Sequence, residues 1–380
     1  MFCSKCGYNA GDSKFCANCG TPIAQKQTGD AQNTGAGAQY YQDAQPQHSD
    51  SDFTKKVKET FEEMTGGKND DVSFKLTDLW SDIFKKHTTE ESDSLLISGT
   101  CHTTPSLREL CTEWNRPWIY SRVFLVLIIT FGLLSACTYF FGNMLALPGV
   151  MFIGALTMPF TLLVLFWETN IPRNISIFRL VIMFFIGGVA SLVFTLFLFT
   201  FISPGEGGLD YVGATIVGIV EELGKLGVVF LLIRIYDSKY ILNGILIGAA
   251  VGAGFAAFES AGYALVYGGD LDGIIHNIIL RGLLAAGGHI VWAAISGAAV
   301  MLAKGDGKAD VDVFKSGKFW RLFPVPVVLH AVWDMPFSST PVLIGLTVLA
   351  WVFVLALIRS GMSQVSHLCV EAAKEEGTAD

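Results

Sequence analysis

Long apolar segments dominate the chain after residue 117 and restrict it to a membrane fold. About half of the 380 residues are hydrophobic (51%), and only 16% are charged. A helix needs about 20 apolar residues to cross the hydrocarbon core of a bilayer, and its backbone must satisfy its own hydrogen bonds there. The sequence therefore predicts an all-α polytopic membrane protein. We count eight candidate spans, at residues 118–141, 148–167, 177–201, 211–236, 240–266, 281–302, 320–338 and 340–359.

The loops between these spans indicate their orientation. Lys and Arg precede the first span and then occur in every second loop, whereas the alternate loops contain neither. Only Arg281 lies at an edge of this second set of loops. Because positively charged loops stay in the cytoplasm, we predict a multi-pass cell-membrane protein with cytoplasmic N- and C-termini. The start, MFCSKCG, lacks the basic region and apolar core of a signal peptide, so no cleaved signal is expected.

The first 24 residues contain two copies of a CxxCG motif. Four thiolates from two such knuckles make a closed tetrahedral site, which is typical of structural zinc. Two disulfides are the alternative, and a reducing cytoplasm disfavours them. We therefore predict a structural zinc ribbon at residues 1–24. The sequence does not identify the molecule that this ribbon would bind. The zinc ligands would be Cys3, Cys6, Cys16 and Cys19.

Composition divides the rest of the chain. Residues 25–52 are rich in Gln, Gly, Ala, Ser and Asp, which predicts a flexible, disordered linker. Residues 53–117 carry short amphipathic patterns and are predicted to be a cytosolic juxtamembrane region. Residues 118–360 form the predicted membrane domain in the lipid bilayer, and residues 361–380 a cytosolic tail. The net charge of −8 gives no basic face, so no nucleic-acid partner is expected.

Three ionisable residues interrupt the fourth span, in the sequence GIVEELGK. Each charge near the bilayer centre costs at least ~2.5–3.5 kcal/mol, so the three must be paired, or face the protein interior or water. On a helix Lys225 lies one turn beyond Glu221 and three residues beyond Glu222. One carboxylate can neutralise the lysine. The other acid is then left without a partner on its own helix.

Three later spans also contain polar residues, namely Glu259, His289, and His330 with Asp334. An isolated intramembrane histidine or glutamate is often only an interhelical hydrogen-bond partner. Counted from the outer ends of the spans at ~1.5 Å per residue, however, Glu221 lies ~15 Å deep, Glu259 ~10 Å and the two histidines ~12 Å. Independent contacts have no reason to share a depth. The common level predicts one site in the outer half of the membrane.

These residue types suit several kinds of chemistry. Two imidazoles and a carboxylate can hold a metal, or can donate hydrogen bonds to a developing oxyanion. A partly desolvated carboxylate can take a proton from water. Asp334, four residues after His330, can ligate beside the histidine or orient its ring.

Four motifs follow one another on successive spans: EExxK at 221–225, FxxxE at 255–259, GH at 288–289 and HxxxD at 330–334. In this order they resemble the PrsW family of intramembrane proteases, which shares a superfamily with the CAAX prenyl endopeptidases. The CAAX patterns resemble EExxxR and FxxxH instead. The resemblance covers residues 118–360. It implies an eight-helix bundle that cuts a membrane-anchored protein near the outer face, anti-sigma factors being the kind of substrate.

If the protein is an enzyme, the polar residues can be assigned roles. Glu221 would be the general base and Glu222 the partner of Lys225. A possible divalent metal in the active site would be bound by His289, His330 and Glu259, or the histidines would be oxyanion donors with support from Glu259 and Asp334. The predicted catalytic set is Glu221, Glu222, Lys225, Glu259, His289, His330 and Asp334. A non-catalytic scaffold or receptor of the same superfamily, or an ion-coupled carrier, stays open as an alternative.

Overall fold

The computed structural model describes residues 52–67, 74–100, 102–110, 116–205 and 209–377. Every regular element within these ranges is helical, so the predicted all-α class is confirmed. The predicted zinc ribbon and all but the last residue of the predicted linker lie outside the described residues.

Six helices in the described part are long and apolar enough to cross a membrane, in agreement with a multi-pass membrane protein. They are Ile119–Tyr139, Met144–Thr169, Ile177–Phe199, Ile241–Tyr267, Leu271–Lys304 and Thr340–Ala372. The span predicted at residues 211–236 is also one continuous helix, Tyr211–Ile235. It differs from the six by three charged residues within five positions, Glu221, Glu222 and Lys225, which lower its apolar character.

We number the α-helices in chain order. Before the membrane domain lie α1 (Asp52–Thr65), α2 (Thr89–Leu96) and α3 (Leu107–Leu110). The membrane domain contains α4 (Ile119–Tyr139), α5 (Leu147–Thr169), α6 (Ile177–Ile182), α7 (Gly188–Phe199), α8 (Tyr211–Ile235), α9 (Ile241–Tyr267), α10 (Leu271–Leu284), α11 (His289–Lys304), α12 (Gly317–Leu322), α13 (Pro324–Trp333) and α14 (Thr340–Gly377). Helix α14 therefore continues past residue 360, where the sequence predicted that the tail begins.

Two predicted spans are interrupted in the structure, which corrects the sequence interpretation. The span predicted at 281–302 contains the end of α10, a 3₁₀ turn at Ala285–Gly287 and the start of α11. The span predicted at 320–338 is divided between α12 and the ten-residue α13, whose C-cap is Asp334. Hydropathy measures apolar content and does not detect such breaks. Non-helical backbone at membrane depth is tolerated where it is buried in protein or lines a cavity.

Helix α9 forms the centre of the bundle and is buried along most of its length. Gly244, Gly248 and Gly252 follow one another along the face that contacts α11. A Cβ atom at Gly252 would meet the backbone carbonyl of His289. Small residues let membrane helices approach backbone to backbone. This contact places the first residue of α11 directly against the helix that carries Glu259.

Helix α8 approaches α13 in the same way. A Cβ atom at Gly218 would lie 2.7 Å from the amide nitrogen of Ala331, so only glycine allows this separation. His330 is the neighbour of Ala331 in α13, and Glu221 lies about one turn after Gly218 in α8. The glycine contact therefore brings the histidine next to the two glutamates.

A π-helical turn at Met183–Gly187 separates α6 from α7. Just after it, a Cβ atom at Gly188 would lie 2.6 Å from the Cα atom of Gly254 in α9. Single π turns inside membrane and soluble helices are frequent near functional sites. Here the turn and the glycine pair bring α7 against α9 immediately before Phe255.

Glu168, near the end of α5, fixes the start of α4. Its carboxylate accepts hydrogen bonds from the backbone amides of Trp118 (2.8 Å), Ile119 (2.8 Å) and Tyr120 (2.9 Å). These amides belong to the first turn of α4, where a helix has no internal acceptors for its N–H groups. The negative charge also lies at the positive end of the helix dipole.

We expect Glu168→Ala to destabilise the folded protein by about 1.5–3 kcal/mol, the value of hydrogen bonds to a charged group. The midpoint of thermal unfolding, measured on protein purified in detergent, gives the result. Glu168→Gln is the matched control, because it keeps an acceptor oxygen and should lose less. An alanine variant as stable as the unmodified protein would contradict this role.

Candidate active site

The two glutamates and the lysine of α8 lie at the centre of a polar cluster. The Lys225 Nζ atom is 2.7 Å from Glu222 Oε1 and 3.5 Å from Glu221 Oε2. Lys225 and Glu222 are fully buried, with 0% exposure, whereas Glu221 keeps 8%. The lysine ammonium also lies 4.3 Å above the ring of Phe255, which stabilises a buried cation. Glu222 is therefore the enclosed partner of Lys225, and Glu221 is the more accessible acid.

His330 connects α13 to both glutamates. Its Nδ1 atom lies 2.9 Å from Glu222 Oε1, and its Nε2 atom is 3.7 Å from Glu221 Oε2. The same Nε2 atom is 3.4 Å from the carboxylate of Asp334. Asp334 is the C-cap of α13 and so lies at the end of the helix. With its Nδ1 proton donated to Glu222, the ring turns its Nε2 atom towards the more accessible acids Glu221 and Asp334, to which a protonated Nε2 can donate.

His289 is the first residue of α11 and joins the cluster from the opposite side. Its Nδ1 atom is 2.8 Å from Lys225 Nζ, and its Nε2 atom is 3.0 Å from Glu259 Oε2. A lysine ammonium can only donate, so Nδ1 accepts and the ring carries its proton on Nε2. The rings of His289 and His330 are 5.0 Å apart between centroids. The polar side chains that the sequence predicted to share one depth, on four different helices, therefore meet.

Arg281 of α10 also belongs to the cluster, although the sequence interpretation did not include it. Its Nη2 atom donates to Glu259 Oε2 over 2.5 Å, and its Nε atom donates to Ser260 Oγ over 3.1 Å. The guanidinium lies 4.1 Å above the ring of Tyr263. One signal could have identified it, since Arg281 is the basic residue at the edge of the loops that are predicted to be outer and that otherwise lack Lys and Arg.

Trp292 was missed as well, because a tryptophan in an apolar span normally indicates only packing. It lies one turn after His289 in α11 and is 1% exposed. Its ring stacks on His330 with centroids 4.5 Å apart and contacts His289 edge-on at 5.1 Å. The indole therefore separates the two histidines from the apolar core and fixes the planes of both rings.

A cavity of about 380 Å³ opens beside these side chains. Its polar wall includes Glu221, Glu259, Arg281, His289, His330 and Asp334. Glu222 and Lys225 do not line it. The volume lies within the range of small-molecule pockets. Of the two glutamates on α8, only Glu221 can therefore meet a molecule in the cavity.

The residues that could hold a metal ion differ in one member from the predicted set. Within the described part of the chain, ligand atoms of Glu221, His289 and His330 lie within 4.8 Å of one another. The sequence interpretation chose Glu259 where the structure has Glu221. The reason is that Glu259 Oε2 already accepts from Arg281 and contacts His289 Nε2.

The chemistry of this donor set fits a divalent cation. Two imidazoles and one carboxylate are the ligands of many catalytic zinc sites. Each histidine also has a carboxylate on one ring nitrogen, Glu222 for His330 and Glu259 for His289, as outer partners of metal ligands do. Four carboxylates in the cluster face two basic side chains, which leaves a formal charge of −2 with neutral imidazoles. At His289 a cation would replace the contact from Lys225.

A comparison with protein families gives one match. The family model described as PrsW family intramembrane metalloprotease matches residues 176–358. This range contains the seven predicted membrane-site residues as well as Arg281 and Trp292. No curated protein and no solved structure matches the chain. Residues 176–358, which hold the candidate site, therefore carry the domain of the PrsW family of intramembrane metalloproteases.

Proposed function

We propose that this protease hydrolyses a peptide bond of a membrane-anchored protein, of the anti-sigma-factor kind, near the outer face of the bilayer. The observation that carries the proposal is the unequal burial of the two glutamates of α8. Glu222 is enclosed by Lys225 and His330, whereas Glu221 faces a cavity beside both histidines. A carboxylate that faces a space for substrate and water can act as the general base in peptide hydrolysis.

In the proposed reaction Glu221 takes a proton from a water molecule in the cavity. The water oxygen then bonds to the carbonyl carbon of the substrate, and the carbonyl oxygen becomes an oxyanion. As the C–N bond breaks, the same proton passes from Glu221 to the leaving amine nitrogen. One residue thus acts first as base and then as acid, and it returns to its starting state.

Other side chains keep this geometry. Lys225 holds Glu222, and Glu222 in turn orients His330 through the 2.9 Å contact to Nδ1. Glu259 orients the ring of His289 by accepting a hydrogen bond from the Nε2 atom of the histidine. Asp334 stands beside the cavity-facing nitrogen of His330 and limits rotation of the ring.

A divalent metal would be held by Glu221, His289 and His330. When bound, it would polarise the substrate carbonyl and stabilise negative charge on its oxygen. A carboxylate has two oxygens, so Glu221 can bind a cation with one and accept the water proton with the other.

The proposed position of cleavage is the outer half of the membrane. Two arguments support it: the basic residues of alternate loops, and the residue counts that place the polar side chains ~10–15 Å from the outer ends of their spans. The breaks before α11 and after α13 add a third argument. Both occur beside the cavity, where water must enter.

Mapping the new N-terminus of the released fragment tests this proposal. Purified protease in liposomes would be given single-span proteins of the anti-sigma-factor kind, and the fragments identified by mass spectrometry. We expect cleavage in the outer half of the substrate span, and none with Glu221→Gln. Cleavage at the cytoplasmic end would contradict the orientation or the site.

A further inference from the structure

Arg281 reaches the cluster from α10, a helix that contributes no other polar contact to it. Among the described residues, its guanidinium contacts three groups of α9: the carboxylate of Glu259, the hydroxyl of Ser260 and the ring of Tyr263. A guanidinium that bonds through two of its nitrogens and stacks on a ring has one orientation. The arginine therefore holds α10 against α9 and holds Glu259 in a fixed rotamer.

Glu259 transmits this constraint to His289. The same oxygen, Oε2, accepts from Arg281 Nη2 and from His289 Nε2. On the other side of the ring, Lys225 donates to Nδ1. The imidazole thus has a donor on one nitrogen and an acceptor on the other, which fixes both its tautomer and its plane. Without Arg281, Glu259 would keep His289 as its remaining partner and could turn towards the cavity.

We propose that Arg281 is a positioning residue of the protease, which acts on the reaction through Glu259 and His289 and not through the substrate. This inference rests on the proposed function, because it assigns Arg281 a task in peptide hydrolysis. It also accounts for an arginine at the outer side of the membrane, where the other loops have no basic residue. The contact with Glu259 offsets the free-energy cost of placing a charged side chain there.

Initial rates at several substrate concentrations, measured with Arg281→Met and Arg281→Lys, test the inference. Mutating an outer partner of a metal ligand typically costs 10–100-fold in metal affinity or activity. We expect kcat of Arg281→Met to fall by about this factor with KM within about twofold of the unmodified value. Lysine keeps the positive charge but lacks the planar guanidinium with its several N–H donors. Arg281→Lys should therefore be more active than Arg281→Met but less active than the unmodified protein.

A double-mutant cycle separates positioning from direct binding. If Arg281 acts through Glu259, adding Arg281→Met to Glu259→Gln should cost little more than Glu259→Gln alone. Independent effects that multiply, or a loss confined to KM, would show that the arginine binds substrate and would overturn the inference. If Arg281→Met fails to fold, Arg281→Gln is judged by the same criteria.

Two further measurements make the outcomes distinct. Leu283→Ala changes an exposed side chain of α10 that does not line the cavity, and it should retain full activity. Glu221→Gln on the same substrate reports on the proposed function itself. Loss of turnover in Glu221→Gln together with full kcat in Arg281→Met would reject only the inference. Full turnover in Glu221→Gln would reject the proposed function.

Discussion

Glu221→Gln is expected to lower turnover by about 10²–10⁴-fold, the usual contribution of a general base. Glutamine has the same shape but cannot accept a proton from water. The folded state should be retained, because the charge of Lys225 is balanced mainly by Glu222. The Lys225 contact to Glu222 is 2.7 Å and that to Glu221 is 3.5 Å. Single-turnover cleavage and thermal unfolding of the same preparation would measure both effects.

Glu222→Gln is the matched control for this substitution. The two glutamates are neighbours on α8 and differ in burial, in partners and in access to the cavity. Glutamine at position 222 weakens the contacts to Lys225 and His330 at once. We therefore expect its main effect to be lower stability. An active but destabilised Glu221→Gln, together with a stable but inactive Glu222→Gln, would reverse the two roles.

Lys225→Met is expected to destabilise the protein by about 3–5 kcal/mol, because it strands a buried carboxylate. Both Lys225 and Glu222 are fully buried, so water cannot replace the lost partner. Methionine fills a similar volume, which limits the contribution of an empty cavity. The midpoint of unfolding in detergent, with helical circular dichroism as the signal, gives the size of the effect.

The double variant Lys225→Met with Glu222→Gln identifies the cause. Replacing both members of a buried ion pair by neutral residues is often far less costly than removing one member. We therefore expect the double variant to be more stable than Lys225→Met alone. If it is less stable than either single variant, packing and not charge explains the loss.

The sequence was sufficient to predict that polar residues of four helices meet, although not that Arg281 and Trp292 join them. A charged residue in a membrane span needs a partner, and Glu221, Glu259, His289 and His330 fall at similar depths when residues are counted along their helices. Helix geometry alone also places Lys225 within reach of both glutamates of α8, whereas the structure shows that the closer contact is to Glu222. These inferences succeed because spans are constrained by bilayer thickness and because small residues bring the helices close together.

Other features depend on tertiary contacts that leave no pattern along the chain. The interruption before His289 lies within an apolar segment, so hydropathy treats it as continuous. The choice of Glu221 in place of Glu259 beside the histidines depends on Arg281, which binds Glu259 from a different helix. Arg281 itself was predicted to lie at an outer edge. Only the folding of α10 back towards α9 shows what it contacts.

Gly252 gives the site a sensitivity that no chemical argument about its side chains would reveal. It has no functional group, yet a methyl group there would collide with the carbonyl oxygen of His289. A displacement of about 1 Å in a reacting group can cost 100-fold in rate. The positions of the reacting groups in this candidate active site therefore depend in part on the absence of a Cβ atom at Gly252. A mutational survey that replaced only the polar residues of the site would overlook this position.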